Sequence, residues 1–391
     1  MVEPIGKPTS VTFPPAARVS PVAAAPPLER ESLVCLCLVP GVGPGRLGLL
    51  LERFGSAAAV WTAGDDELRG PGLPEEVARS ILAHRRRLDP ATVLAKLRPE
   101  GLTVLTTLDE SYPARLSCVP GCPPVLFGLG DPLCLAQPAV AVVGTRRPTP
   151  YGLEVTGLIA GGLAEAGLVI VSGLAVGIDG AAHRAALEAG GRTIAVLGSS
   201  LDKLYPKRHA GLAAEITAAG GMVISQFRPD TLPDKGTFVA RNRVVAGLSL
   251  GVVVCEAPLE SGALITARAA VGLGRPVLAV PGPVGSPTSA GCLELLRAGA
   301  RAVNTAGHVL EDLGLPVAAA WLRPAPSPAG RPSVSDDSGT VLAAMQRGET
   351  LTFDRLMART RLGPETLASV LGLMEVKGLV ARQPGQRYTR A

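Results

Sequence analysis

Aromatic residues are scarce in this chain of 391 residues: six Phe, four Tyr and two Trp. A ring on a loop therefore stands out as a candidate stacking face, and Phe238 is one such ring. Lysine is used as sparingly. Only Lys7, Lys96, Lys203, Lys207, Lys235 and Lys377 stand among the 38 basic residues, which singles out a loop ammonium such as Lys235 as a point contact for phosphate. The four histidines, His84, His183, His209 and His308, lie far apart, and the seven cysteines include no Cys-x-x-Cys pair. That spacing argues against a zinc site. The odd cysteine count, with Cys255 inside a Val-rich run, reads as small buried hydrophobes in a reducing compartment, which points to the cytoplasm. No apolar run reaches the roughly 18 residues of a membrane span and no secretory leader is evident, so no membrane partner is expected. No Gly-x-x-x-x-Gly-Lys-Ser/Thr occurs, which removes the common ATP-binding loop, and no cofactor is implied.

Hydrophobic residues make up 47% of the chain, enough for two or three cores at this length. The net charge of +5 is modest, so an anion-binding surface has to come from local clustering. Residues 1–28 are rich in Pro and Ala and read as a disordered tail. Residues 29–100 read as short helices, among them Leu47 to Phe54, Asp65 to Leu68, Pro74 to Arg86 and Ala91 to Leu97. The turns Pro40 to Gly45 and Gly70 to Pro74 punctuate them as in a SAM-like or helix-hairpin-helix domain. Such Gly-rich turns either present amides to a phosphate or simply connect helices.

Between residues 101 and 317 apolar runs alternate with helical stretches. Ala139 to Val143, Leu168 to Val171, Thr193 to Leu197, Met222 to Ser225, Gly251 to Cys255 and Val277 to Val280 lack polar alternation, which predicts strands covered on both faces. The expected fold class is α/β: an extended Rossmann-like, doubly wound, mostly parallel sheet, with Thr103 to Thr106 and Val125 to Phe127 as its N-terminal extension. Residues 318–338 have the composition of a linker. Residues 339–391 read as a winged-helix domain of three helices and a hairpin across Pro384-Gly385, with eight cations against four acids. That excess suits DNA contact and protein docking about equally.

The densest chemistry is Arg241-Asn242-Arg243, which opens an apolar run after the loop Pro233 to Phe238. Three cations and a ring fall within nine residues there, a composition that holds a phosphate backbone and stacks a base. Ligands of an open α/β sheet sit outside the carboxyl ends of the strands. The loops expected there carry Gly144-Thr145-Arg146, Ser172-Gly173 and Ser261-Gly262: glycines for close backbone approach, an arginine fork for phosphate, and helix-capping residues that leave amides free. Asp179 and His183, four apart on one helical face, read better as a cap and a packed histidine than as an acid/base pair, because no nucleophile or third ligand accompanies them.

Taken together, Gly144-Thr145-Arg146 with Tyr151-Gly152, Ser172 to Asp179 with His183, Tyr205-Pro206, Phe238 with Arg241-Asn242-Arg243, Glu256, Ser261-Gly262 with Thr266, and Val280-Pro281-Gly282 with Gly291-Cys292 resemble the DNA processing protein A family (DprA, also called Smf). The likeness covers roughly residues 108 to 305 and is specific as a set. It implies a dimeric, non-enzymatic protein that binds single-stranded DNA without sequence preference and loads the RecA recombinase onto it in natural transformation. By that resemblance Arg146, Lys235, Phe238, Arg241, Asn242 and Arg243 contact DNA or shape its pocket, over a floor of Gly144, Ser172, Gly173, Ser261 and Gly262. Two positions depart from the family pattern: Val239 where proline often follows the phenylalanine, and Gln226 where glutamate is usual. The alternative reading is a Rossmann-like nucleotide-processing enzyme with Glu256 or Asp179 over a ribose. A transcriptional regulator would rest on the winged helix alone.

Overall fold

The computed structural model describes residues 28–69, 73–97, 101–316, 336–345, 349–376, 379–383 and 387–390. They belong to two units, Met1–Pro324 and Ala325–Ala391. The expected tail lies outside the described residues apart from Leu28. Most of the expected linker does too, but its last three residues, Asp336, Asp337 and Ser338, begin a helix.

Six helices open the first unit: α1 (Glu29–Leu38), α2 (Pro44–Phe54), α3 (Ala57–Thr62), α4 (Asp65–Leu68), α5 (Glu75–Arg85) and α6 (Pro90–Lys96). Glu29 at the start of α1 accepts hydrogen bonds from the first amides of α3, Ala57 (2.7 Å) and Ala58 (2.8 Å), so a carboxylate meets the positive end of a helix. These helices share one core with the sheet, where Leu36, Leu50 and Ile81 join Val104, Val125 and Phe127. Arg30 reinforces the contact by bridging to Asp109 (2.6 Å) and to the Val104 carbonyl (2.8 Å). The Gly70 to Pro74 turn crosses residues 70–72, which lie outside the described residues.

Nine strands follow: β1 (Leu102–Thr106), β2 (Val125–Gly130), β3 (Ala139–Val143), β4 (Val169–Ser172), β5 (Thr193–Val196), β6 (Met222–Ser225), β7 (Val252–Val254), β8 (Val277–Ala279) and β9 (Arg301–Ala302). They form one sheet in the order β1-β2-β6-β5-β4-β3-β7-β8-β9. From β6 to β9 every pair is parallel, whereas β1–β2 and β2–β6 are antiparallel. Alternate residues of β3 enter opposite cores: Ala141 and Val143 on one face, Val140 and Val142 on the other. Burial of both faces explains the unbroken Val-rich run, since each Val withdrawn from water contributes about 1.5–3 kcal/mol. The chain winds outward from β3 to β6, then returns to β7 on the other side of β3. The crevice beyond the ends of β3 and β7 is thus a topological switch point.

Helices α7 (Ala114–Ser117), α8 (Pro150–Glu165), α9 (Ile178–Glu188), α10 (Ala210–Ala218), α11 (Lys235–Leu248), α12 (Gly262–Gly272), α13 (Ala290–Arg297) and α14 (Ala306–Asp312) complete the unit. The expected loop Pro233 to Phe238 is corrected here: Lys235 to Phe238 are the first turn of α11. Asp234 caps it, accepting from the Thr237 amide (2.8 Å), while the Thr237 hydroxyl accepts from the Asp234 amide (2.9 Å). This reciprocal cap satisfies donors that a helix start otherwise leaves orphaned.

In the second unit α15 (Asp336–Ala344), α16 (Phe353–Thr360) and α17 (Pro364–Val376) accompany a three-stranded sheet of β10 (Thr350–Thr352), β12 (Arg387–Arg390) and β11 (Val380–Gln383), in that order. Val341, Leu351, Leu356, Leu371 and Tyr388 meet in its core. The unit is the expected winged helix with one short strand, β10, added beside the hairpin.

Candidate nucleic-acid interface

A crevice of about 760 Å³ opens at the switch point, walled by the loops after β3 and β7 and by one face of α11. Arg146 reaches it from the first loop, Lys235 and Arg241 from α11. With Arg147 they set four cations against two carboxylates, Asp179 and Glu260, among the described lining residues. Phe238 lines the same crevice between them. The guanidinium carbon of Arg146 lies 5.1 Å from the centre of its ring and that of Arg241 5.8 Å, within the reach of cation–π attraction.

These cations differ in freedom. Arg146 is exposed, with its guanidinium over the Phe238 ring. Lys235 is exposed on the first turn of α11, next to the Asp234 cap, and lines the crevice. Arg241 is only 5% exposed. Its guanidinium donates to the carbonyls of Gly173 and of Val196 (2.6 Å for the latter), and its Nε to Asn242 Oδ1 (3.1 Å). Burial pulls its pKa below the usual arginine value; the Asp179 carboxylate opposes the fall and the Arg146 charge adds to it. Arg241 therefore binds the ends of β4 and β5 together and offers the crevice a fixed positive field. Asn242 spends its other end on the Gly262 carbonyl (3.3 Å), tying α11 to the start of α12.

The floor is built as tightly. Gly144 has no room for a side chain: a Cβ there would sit 2.6 Å from Ile178 and 2.8 Å from the Glu256 carbonyl. At Gly173 it would meet the Arg241 guanidinium. Thr145 donates its amide to the Glu256 carbonyl (2.7 Å) and its hydroxyl accepts from the Arg147 amide (3.2 Å). Ser261 caps α12 by accepting from the Ala263 amide (3.3 Å), and Gly262 lies exposed beside it. Two expected members lie elsewhere. Ser172 is fully buried with its hydroxyl donated to the Val142 carbonyl (2.7 Å). Arg243 projects from the opposite face of α11 and lines a different cavity, because residues 241 and 243 of a helix point about 200° apart.

Asp179 holds the loop between Gly173 and Ala175 by accepting from both amides (3.1 and 3.4 Å). Between them Leu174 takes a left-handed backbone, φ 55°, a costly conformation for a branched residue. The His209 ring bonds its carbonyl (2.9 Å). Burial raises the pKa of Asp179, and the Arg241 charge opposes the rise. His183 is fully buried. The Thr193 hydroxyl donates to the Ile170 carbonyl, so its oxygen accepts from His183 Nδ1 (2.6 Å) and the imidazole is the neutral Nδ1–H form. Burial pushes its pKa down to about 3, with the charges of His209 and Arg241 adding to the shift. Glu256, 3% exposed, gives both oxygens to Thr149, at its amide (2.8 Å) and hydroxyl (2.9 Å). Both carboxylates of the enzyme reading are thus spent on backbone and cap.

Sequence reasoning gave no role to three contributors. Tyr205 packs at a tilt against Phe238, ring centres 6.1 Å apart, and Arg208 lies in the small pocket beside them. Gly198 is where a Cβ would stand 2.5 Å from the Phe238 ring. These contacts join segments 30 to 40 residues apart, which no local spacing announces. Among the described residues no cluster of three His, Cys, Asp or Glu could hold a metal ion.

Fold and crevice define a class: a Rossmann-like α/β protein with a cationic, ring-bearing switch point and an additional winged helix. Residues 103–314 match the family model for DNA recombination-mediator protein A, and residues 324–386 the DprA winged helix domain. Protein Smf of Synechocystis is 34% identical over 387 residues, 90% of this chain and 96% of that protein. Protein Smf of Escherichia coli is 40% identical over 333 residues, 81% and 85% of the two chains. The X-ray structure of DNA processing protein A from Streptococcus pneumoniae superposes with a TM-score of 0.63 at 35% identity, covering 72% of this chain and 97% of that one. The chain belongs to the DprA/Smf family of DNA recombination mediators.

Proposed function

We propose that the switch-point crevice binds single-stranded DNA irrespective of sequence, and that the chain, as a homodimer in the cytoplasm, protects incoming strands and loads RecA onto them during natural transformation. The observation that carries this reading is the placement of Arg146 and Lys235, both exposed, beside the Phe238 ring in one crevice. Cations neutralise the phosphates every strand presents, and a ring face accepts any base. A dimer would set two such crevices along one strand. No helix among the described residues is long and apolar enough to cross a membrane.

Fluorescence anisotropy with a labelled oligonucleotide across a salt series tests the reading. Each lost phosphate contact lowers the slope of log affinity against log salt by about 0.7 for a single strand. Lys235→Ala and Arg146→Ala should each do so. Wild-type slopes in both variants would remove these residues from the interface. RecA filament assembly on strands precoated with single-strand-binding protein tests the loading step, and no stimulation would refute it.

A further inference from the structure

A second cavity, about 650 Å³, lies across α11 from the first, within the roughly 300–1,000 Å³ of ordinary ligand sites. Ala240, Arg243 and Val244 of α11 line it, where Lys235, Phe238 and Asn242 line the crevice. Its other walls are the turn Gly41 to Gly45, the mostly apolar segment Val119 to Val125 and the segment Gln226-Phe227-Arg228. Two guanidinium groups, Arg228 and Arg243, face an enclosure that has no carboxylate among its described lining residues. Both arginines are exposed; Arg243 is steadied by the Pro120 carbonyl (3.0 Å). Phe227 adds a half-buried ring. The buried Nε2 of Gln226 has no hydrogen-bond partner, an unspent donor in an otherwise apolar wall. The turn opens the 11-residue α2, whose Gly43 cap supplies no side-chain oxygen; Pro44 has no N–H, which leaves the amides of Gly45 and Arg46 without a capping side chain.

We infer that this cavity is a second contact for single-stranded DNA, holding one nucleotide unit of a strand that also occupies the crevice. The phosphate is placed by Arg228 and Arg243 with the α2 amides, and the base by Phe227 and Gln226. The inference rests on the crevice binding a single strand. Charge carries the first half: two cations without a carboxylate call for an anion. Chemistry carries the second half, because ring and guanidinium recur together as they do in Phe238 with Arg146. Continuity is given by the chain, since Arg228 precedes Lys235 by seven residues and both cavities share α11. The Gly-rich turn thereby gains the phosphate-facing role, of the two roles its sequence allows.

The test is a salt series on the full chain with oligonucleotides of about 6 and about 30 nucleotides, lengths that bracket the footprint of one single-strand site. In the double variant Arg228→Ala/Arg243→Ala the long strand should lose about 1.4 from its salt slope, two contacts at 0.7 each, and the short strand nothing. Arg228→Lys/Arg243→Lys should keep the wild-type slope, which separates charge from packing. Unchanged long-strand slopes in the alanine variant would overturn the assignment. So would charge-dependent binding of an acidic peptide, or of deoxythymidine monophosphate alone, with no change in the long-strand slope. Failure of the wild type to bind either oligonucleotide is a different outcome, which sinks the crevice reading itself.

Discussion

Replacing Arg241 by methionine keeps most of the side-chain volume and removes every donor. The carbonyls of Gly173 and Val196 each lose a bond from its guanidinium, and a buried acceptor left short costs about 1–3 kcal/mol. Asp179, 7% exposed, loses the charge that opposes its desolvation. The two carbonyls alone come to about 2–6 kcal/mol, a large share of the roughly 5–15 kcal/mol that holds a domain folded. Urea denaturation followed by circular dichroism reads this directly. The deficit should depend on pH. Burial already raises the Asp179 pKa, and without Arg241 it rises further. A carboxyl whose folded pKa exceeds its unfolded value favours the fold below the unfolded value, near 4, and loses that advantage as pH rises through the folded pKa. The variant should therefore be closest to wild type in acid and furthest at neutral pH, and adding Asp179→Asn should recover part of the neutral-pH loss. A deficit below about 1 kcal/mol alongside abolished DNA binding would refute the argument, because Arg241 would then act as a free contact and not as a tie between strands.

Three further outcomes follow from neighbouring contacts. Gly198→Ala should swing the Phe238 ring aside, since the new Cβ would lie 2.5 Å from it; affinity for single strands should fall about tenfold, one stack of about 1–3 kcal/mol, while the salt slope stays unchanged. Neutral His183 has its folded pKa depressed to about 3, so its stabilisation is complete above the unfolded pKa of about 6.5 and is lost as pH falls from there towards 3. His183→Gln should flatten the fall of melting temperature with acidification, and an equally steep fall would contradict the assignment. Glu256→Gln should lower stability by about 1 kcal/mol through a weaker cap on α8, with DNA affinity unchanged. Turnover of a nucleotide by the wild type, lost in that variant, would restore the enzyme reading.

The parallel strands were legible because both faces of the sheet are buried, so apolar runs such as Ala139 to Val143 needed no periodic pattern to be read. The strand-end loops followed from topology alone, and ten of the twelve candidate residues do line one crevice. Helix α11 was not legible. Its buried side carries Arg241 and Asn242 next to Val244, Val245 and Leu248, so charge interrupts the apolar stripe by which an amphipathic helix is recognised. The signal available was Asp234-x-x-Thr237, a reciprocal cap that Pro233 and Gly236 made look like a turn. Helix α1 escaped for a related reason: Glu29 and Ser32 are buried and Leu33 to Leu36 are all buried in succession, which leaves no polar face. Strands β9 and β10, of two and three residues, are too short for any pattern.

That hidden helix decides how the cations divide. On a loop, Lys235, Arg241 and Arg243 could all turn towards one phosphate path. On a helix, spacing sends each in a set direction: Lys235 to the rim of the crevice, Arg241 under its floor, Arg243 into the second cavity. Three residues of similar charge thus acquire three separable roles, and separate measurements tell them apart. Loss of Lys235 should change the salt slope for every strand length, loss of Arg243 with Arg228 only for long strands, and loss of Arg241 chiefly the stability of the fold. A single uniform phenotype across the three positions would mean that α11 does not partition them, and the assignment of both cavities would fail together.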